Sequence, residues 1–500
     1  MDANLHSLFA RHAPAEGSAA CIVVPGGPSI DYATLDAESA RIAHVLVAAG
    51  CVPGDRVAVQ VDKHWQVVPL YLACLRAGLV YLPLNTAYQK SELEYFFTDA
   101  QPRVIVCSPE RLGVVASLAR EATVLTLDAK GGELGDRARA QPGTFATVPR
   151  APGDLASILY TSGTTGRSKG AMLTHRNLAS NALALVDAWR FTRGDVLLHA
   201  LPIYHIHGLF VAIHCVLLSG SRMLWLPRFD ARDVLAHLPH ATAMMGVPTF
   251  YTRLLAEPGL DRTVCANVRL FVAGSAPLLP ETFRAFEQRT GHRILERYGM
   301  TETGMNASNP LDGERVPGTV GLPLPGVSIR IVDGEDKPCA VGTIGEIQVR
   351  GPNVCSGYWR KADRTAEAFT ADGWFRTGDL GSFDARGYLA IVGREKDMII
   401  SGGLNVYPKE IEERIDAMDG VEESAVVGTP DADFGEAVVA FVVARPGHRL
   451  AEAGIIAALK SEIAGFKCPK RVLFVTELPR NAMGKVQKNL LRERLAMPAG

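Results

Sequence analysis

Two apolar runs, Leu155-Ala-Ser-Ile-Leu-Tyr160 and Gly170-Ala-Met-Leu173, enclose the segment that most limits how this chain can fold. The joined stretch reads Tyr160-Thr-Ser-Gly-Thr-Thr-Gly-Arg-Ser-Lys-Gly170. Glycines let backbone N–H groups converge on an anion, and hydroxyls with Arg and Lys add donors and positive charge. A nucleotide loop that opens a helix needs Gly-x-x-x-x-Gly-Lys-Ser/Thr. Here Lys169 follows Gly166 by three and the next residues are apolar, so the spacing predicts a phosphate clamp between two strands. A helix is expected only from about Thr174.

The 500 residues exceed what one hydrophobic core serves, which predicts two or more domains. Lys plus Arg number 52 against 53 Asp plus Glu, so charge gives no case for nucleic acid or an anionic membrane as partner. Nine cysteines without a C-x-x-C pair read as free thiols in a reducing compartment. No stretch approaches about 18 consecutive apolar residues, and the N-terminus lacks a basic, then apolar, leader pattern. A cytoplasmic location without a membrane span is expected.

Up to about residue 150, helical and strand patterns alternate. Tyr32 to Leu46 is amphipathic, residues 56–61 read as a strand, residues 70–78 as a glycine-ended helix, and residues 79–84 as another strand. Residues 124–150 show little periodicity and read as a surface connection. Alternation resumes from 155 to about 310, which implies parallel sheets covered by helices. Residues 318–392 carry short strands and turns, and after Gly393 a compact α/β unit follows. There Pro408 opens a helix with Ile411, Ile415 and Met418 on one face.

The loop at 160–170 resembles the phosphate-loop signature of the adenylate-forming superfamily, which includes acyl-CoA synthetases, luciferases and peptide-synthetase adenylation domains. The resemblance extends over essentially the whole chain. It implies an α/β fold: a large N-terminal domain, 1–395, of two α/β subdomains plus a β-barrel-like subdomain, and a small mobile C-terminal α+β domain, 396–500. Such enzymes join a carboxylate to AMP, release pyrophosphate and pass the acyl group to a thiol. The implied co-substrates are ATP and CoA, with Mg²⁺ as cofactor.

Residue by residue, the resemblance places Thr161, Ser162, Gly163, Thr164, Thr165, Gly166 and Lys169 on the phosphates. Within Tyr298-Gly-Met-Thr-Glu-Thr303, Tyr298 would stack near adenine, Thr301 contact the α-phosphate and Glu302 hold Mg²⁺, with Thr165 as a further metal contact. A carboxylate suits a hard cation that keeps its waters. Glu296, Gly299 and Met300 flank that motif on the ATP side. Gly274-Ser275-Ala276-Pro277 follows an apolar strand and would pack against adenine, since α/β sheets bind ligands at strand carboxyl ends. Asp379 matches the ribose anchor, and Arg394 is placed for ribose or phosphate.

Two further segments carry the alternation expected of this family. Lys485, in Asn481-Ala-Met-Gly-Lys485, matches its catalytic lysine, whose ammonium would bridge carboxylate and α-phosphate. Lys396 matches the hinge about which the C-terminal domain would rotate. Ser401, Gly402 and Gly403 would then line the path of the CoA thiol arm.

Arg297 bears on the acid. The family places this position against the acyl pocket, where synthetases for fatty or aromatic acids usually carry a small residue. An arginine fork there would shorten the pocket and bind a second carboxylate. His207 is a second donor, His205 a gate, Ile206 and Met305 apolar walls, and Ser275 a further lining residue. Alternatively, Arg297 pairs with Glu296 and never meets substrate. Gly304 stands where a larger polar residue is expected, which would loosen selection between malonate and 2-substituted malonates.

The resemblance is closest to malonyl-CoA synthetases and implies malonate + ATP + CoA → malonyl-CoA + AMP + pyrophosphate, with methylmalonate as a weaker substrate. Three alternatives stay open: a CoA synthetase for another short or aromatic acid, a loader of carrier-protein thiols, and a silent nucleotide-binding scaffold. Only fifteen residues follow Lys485, with no recognisable carrier, which favours free CoA.

Overall fold

The computed structural model describes residues 2–161, 168–401, 404–431, 434–481 and 484–496. Four sheets organise them. The first has six strands in the order Thr123–Thr126, Val104–Cys107, Arg56–Gln60, Val80–Pro83, Leu155–Thr161, Lys169–Thr174. All neighbours are parallel except the last pair, whose antiparallel pairing runs from Leu155 opposite Thr174 to Thr161 opposite Lys169. The phosphate-loop segment therefore joins two strands, as its spacing predicts. The helix after it, His175–Ala188, starts beyond Thr174, whose hydroxyl caps the Asn177 N–H while the Asn177 side chain caps Thr174 in return.

The second sheet has nine strands. Its centre is parallel: Leu295–Met300, Leu270–Ala273, Ala243–Gly246, Val196–His199, Arg222–Trp225 and Ala20–Val23. Gly304–Ser308 adds antiparallel to Leu295–Met300, so residues 301–303 form a tight turn at that strand's carboxyl end. Val57, Tyr71, Leu197, Ile213 and Val272 share one apolar core with residues from both sheets and the helices between them. Burying such a Leu or Val contributes about 1.5–3 kcal/mol apiece.

The β-rich region is an antiparallel sheet of Ser328–Val332, Gly345–Arg350, Phe375–Phe383 and Leu389–Arg394. A single turn, Glu395–Asp397, leads from it into a five-stranded sheet of residues 399–475. That sheet has its own core of Ile399, Ile411, Ile415, Val426 and Val442. Pro408 opens the helix Pro408–Asp416 as expected; Met418 lies past its end and packs on the core from there.

One reading is corrected. The segment 124–150 is more than a surface connection, since Thr123–Thr126 is an edge strand of the first sheet and Gly132–Arg139 is a helix. The helix buries only Leu134 and Ala138, four residues apart, so its apolar face is too narrow to stand out in sequence. No described helix is long and apolar enough to cross a membrane. All nine cysteines are free thiols.

Candidate active site

Residues from several strands, most of them at strand ends, converge on one cleft. Glu302, in the turn after Leu295–Met300, is buried; its Oε1 accepts from the Thr161 hydroxyl at 3.2 Å and the Tyr358 hydroxyl at 3.1 Å. Thr161 ends the strand entering the phosphate-loop segment, and Lys169 begins the strand leaving it. The Lys169 ammonium lies 4.9 Å from the centre of the Tyr358 ring, a cation–π contact. Glu302, Thr161 and Lys169 are thus brought together around Tyr358. Ser162, Gly163, Thr164, Thr165 and Gly166, expected on the phosphates, lie outside the described residues, as do Gly402 and Gly403.

Asp379 is buried on Phe375–Phe383. Its Oδ2 accepts from the Tyr298 hydroxyl at 2.5 Å and its Oδ1 pairs with Arg394 Nε at 2.6 Å. The Tyr298 ring sits in an apolar cluster with Ala307, Ile331 and Val349, so one face of this carboxylate is held by protein. Thr301 and Met300 are half-buried at the adjoining turn. At Gly299 a Cβ would meet the Gly304 carbonyl at 2.3 Å, so only glycine fits beneath that turn.

Lys485 reaches the same cleft from the C-terminal region. Its loop is fastened by the Lys485 N–H to Asn481 Oδ1 at 3.0 Å, and by Lys488 Nζ to Glu412 Oε1 at 2.6 Å. Gly484 abuts Thr249 of the helix Pro248–Ala256, where a Cβ would lie 3.0 Å from the threonine hydroxyl. Desolvation first, then the neighbouring Arg394 guanidinium, push the Lys485 ammonium down to about 8, while Asp379 pulls the other way. The side chain still meets solvent across the open cleft, which tempers the desolvation. Lys396, in the Glu395–Asp397 turn, is exposed, and Ser401 is buried at the end of Ile399–Ser401. Next to Lys396, Asp397 pairs with Arg492 at 2.8 Å.

Behind this cleft lies a second, apolar-walled centre. Arg297 is 3% exposed, and its Nε and Nη2 are buried with no hydrogen-bond partner among the described residues. A buried cationic donor left unpaired costs several kcal/mol, so such a group marks a place for an anion. Burial drives the guanidinium down to about 9, with Tyr251 and Glu296 opposing, and it stays cationic at neutral pH. The alternative pairing with Glu296 is not seen. That carboxyl points to the strand's other face, accepts the Leu278 N–H at 3.0 Å, and is raised to about 7 by burial.

The guanidinium lies flat over Gly274, where a Cβ would fall 2.4 Å from Arg297 Cζ. The next residue, Ser275, holds φ +74°, a left-handed backbone that costs a non-glycine residue energy and is commonest at functional turns. Its hydroxyl is 3.3 Å from His207 Nδ1, and His207 Nε2 is buried and unpartnered. Burial, reinforced by Arg297, lowers His205 to about 4 and puts His207 well below the usual imidazole range. Both rings are neutral donors or acceptors at pH 7. Ile206 and Met305 are buried beside them, while Ala276 is half-buried at the mouth.

Gly304 does not leave a gap. Its φ is +60°, and a Cβ there would fall 2.7 Å from Asn181 Oδ1, so Asn181 fills the space expected of a larger side chain. Asn181 also exchanges hydrogen bonds with the Met305 backbone at 2.8 and 3.0 Å. Sequence reading missed Asn181 and Tyr358. Each lies far along the chain from its partner in the site, in an unremarkable local pattern.

Comparison with known proteins agrees with this geometry. The family model for AMP-binding enzymes matches residues 9–359, and that for the AMP-binding enzyme C-terminal domain matches residues 410–485. The chain belongs to the AMP-binding enzyme family. The crystal structure of ATP-bound MatB from Rhodopseudomonas palustris superposes with a TM-score of 0.97 at 55% identity, over 99% of both chains. The apo crystal structure of MatB from that organism gives a TM-score of 0.86 over 99% of both chains. The mitochondrial malonate–CoA ligase ACSF3 of Mus musculus is 38% identical over 90% of this chain and 84% of its own length.

Proposed function

We propose that the chain ligates malonate to coenzyme A at the expense of ATP, through a malonyl-adenylate. The observation that carries the choice of acid is Arg297: a buried cation with two unpaired nitrogens, near the unpaired Nε2 of His207. A short acid with one carboxylate on these donors presents its other carboxylate towards the nucleotide. Malonate, with a single carbon between its carboxylates, suits Ile206 and Met305 as walls. The similarity to a malonate–CoA ligase supports the same choice.

In the first step a carboxylate oxygen attacks the α-phosphorus, and the bond to pyrophosphate breaks. The Lys485 ammonium, as a charged donor, holds the attacking oxygen and the α-phosphate together and offsets charge that builds in the transition state. Lys169 and Thr161 hold the outer phosphates, Asp379 with Arg394 the ribose, and Thr301 the α-phosphate. Glu302, with hydroxyls on one oxygen only, offers the hard oxygen donor that Mg²⁺ takes alongside phosphate oxygens; bound there, Mg²⁺ would neutralise triphosphate charge.

In the second step the CoA sulfur attacks the acyl carbon and AMP leaves with the C–O electron pair. Withdrawal of Lys485 by rotation about Lys396 makes way for the thiol arm beside Ser401. The higher TM-score against the ATP-bound than the apo neighbour supports reading the present arrangement as the adenylating one.

A pyrophosphate-release screen over mono- and dicarboxylic acids, with and without CoA, tests the assignment. Malonate is expected to give the highest kcat/KM, with methylmalonate behind it and malonyl-CoA as the product. A preference for acetate, a fatty acid or an aromatic acid would overturn the substrate while leaving the adenylating chemistry.

A further inference from the structure

Lys63 and His199 form an arrangement that none of this chemistry uses. Lys63 follows the strand Arg56–Gln60 of the first sheet, whereas His199 ends Val196–His199 in the second. The Lys63 ammonium lies 2.9 Å from His199 Nδ1, 2.8 Å from the His199 carbonyl oxygen and 4.5 Å from the centre of the Trp225 ring. The His199 ring stacks on the same indole with centroids 4.8 Å apart, and His199 is 1% exposed. No carboxylate pairs with Lys63 among the described residues. A half-buried lysine without a counter-ion is costly, and a merely structural link between sheets is made more cheaply by apolar packing.

The proton directions are fixed by chemistry. A carbonyl oxygen only accepts, so His199 Nε2, which faces that of Gly208, carries the hydrogen, and Nδ1 is left to accept from Lys63. That Nε2 lies 2.9 Å from the Gly208 carbonyl oxygen, which accepts it. Lys63 thus complements this tautomer from the other side of the ring, and His199 holds the peptide of Gly208.

Gly208 is the second residue of a π-helical turn, His207–Ile213, that opens with the pocket donor His207. Such turns are rare and gather at functional sites. A Cβ on Gly208 would lie 2.1 Å from the Pro202 carbonyl oxygen, so the turn is pressed against the segment carrying His205 and cannot shift independently of it.

We infer that Lys63 and His199 are positioning residues for acid selection: together they fix the turn that aims His207 at the acid held by Arg297. The inference rests on the acid pocket proposed above. Neither residue is placed on a substrate, so their loss acts through the turn carrying His207 and the His205 segment packed against it, and leaves the nucleotide cleft as it is.

The test is steady-state kinetics of the full chain with Lys63→Met, Lys63→Gln, His199→Phe and His199→Gln, with malonate and propionate as acids and melting temperatures alongside. A glutamine at 199 retains an acceptor for Lys63 and a donor for Gly208. Lys63→Met and His199→Phe are expected to raise the malonate KM about tenfold or more and to narrow the malonate-over-propionate ratio, with the ATP KM unchanged. His199→Gln is expected to recover most of that ratio, and Lys63→Gln part of it. Equal losses for both acids and ATP that track melting temperature would make the pair structural and overturn the inference. Unmoved malonate kinetics in all four variants would overturn it too, and would leave the malonate assignment standing. A wild type idle on malonate would remove the assignment and the inference together.

Discussion

The acid pocket and the nucleotide cleft share the strand Leu295–Met300 and the turn after it, yet they treat charge in opposite ways. In the pocket, Arg297 is sealed from solvent with Nε and Nη2 unpaired, and nearby His207 also leaves Nε2 unpaired. In the cleft, the carboxylates are already matched, Asp379 by Arg394 and Tyr298, Glu302 by Thr161 and Tyr358. A site that stays unsatisfied until an anion arrives rejects an acid lacking that anion, because the penalty is paid in full by the wrong ligand. A paired network keeps its shape whether or not Lys485 is present, as the proposed withdrawal of Lys485 would require. Under the proposed function, selectivity and catalysis fall to differently built regions.

The largest effect should fall on the pocket. Arg297→Ala would leave the distal carboxylate buried without its partner, at about 2–5 kcal/mol, so kcat/KM for malonate should drop roughly 30- to several-thousand-fold. The ATP KM should hold. An equal drop with propionate would erase the division between the two regions.

In the cleft, Lys485→Ala should slow adenylation roughly a hundredfold or more, as for loss of one well-placed charged donor. Thioester formation from supplied malonyl-adenylate should survive. If both half-reactions fell together, Lys485 would belong to a fixed site and not to a visiting one.

A hinge substitution sharpens the contrast further. Lys396→Pro fixes φ near −65° in the Glu395–Asp397 turn, and overall turnover should fall about tenfold or more while a burst of pyrophosphate persists in rapid-quench measurements. Unchanged turnover would remove Lys396 from the hinge.

The mildest probe is pH. Desolvation and the neighbouring Arg394 hold Lys485 at about 8, and burial holds Arg297 at about 9. Both act as cations and both are depressed, so each function is present at low pH and is lost as pH rises through its own value. The kcat/KM for ATP should therefore decline first, to about a tenth one unit above the Lys485 value, before malonate selectivity weakens. Coincident declines would mean one group governs both.

The motifs were legible because each needs consecutive residues. A loop between strands, Tyr298 to Glu302 in one turn and Asn481 to Lys485 in another show their chemistry in local spacing, and the structure brings Thr161, Lys169, Glu302, Asp379, Arg394 and Lys485 to one cleft. The helix Gly132–Arg139 was not legible, since two buried residues give no periodic signal. The surroundings of Gly304 were not legible for a related reason: the residue that fills the space beside it, Asn181, lies on a distant helix.

By itself the sequence determined the family chemistry, the strand-flanked phosphate loop, the α/β alternation and the presence of a cation at position 297, because all of these rest on residue type and near-neighbour order. Tertiary structure alone decided whether that cation had a partner. It placed Glu296 on the opposite face of the strand, laid Arg297 over Gly274 and led a lysine from one sheet to a histidine in the other. Satisfaction of a buried charge depends on groups that the chain brings together across many residues, and no local pattern encodes which of them will be left without a mate.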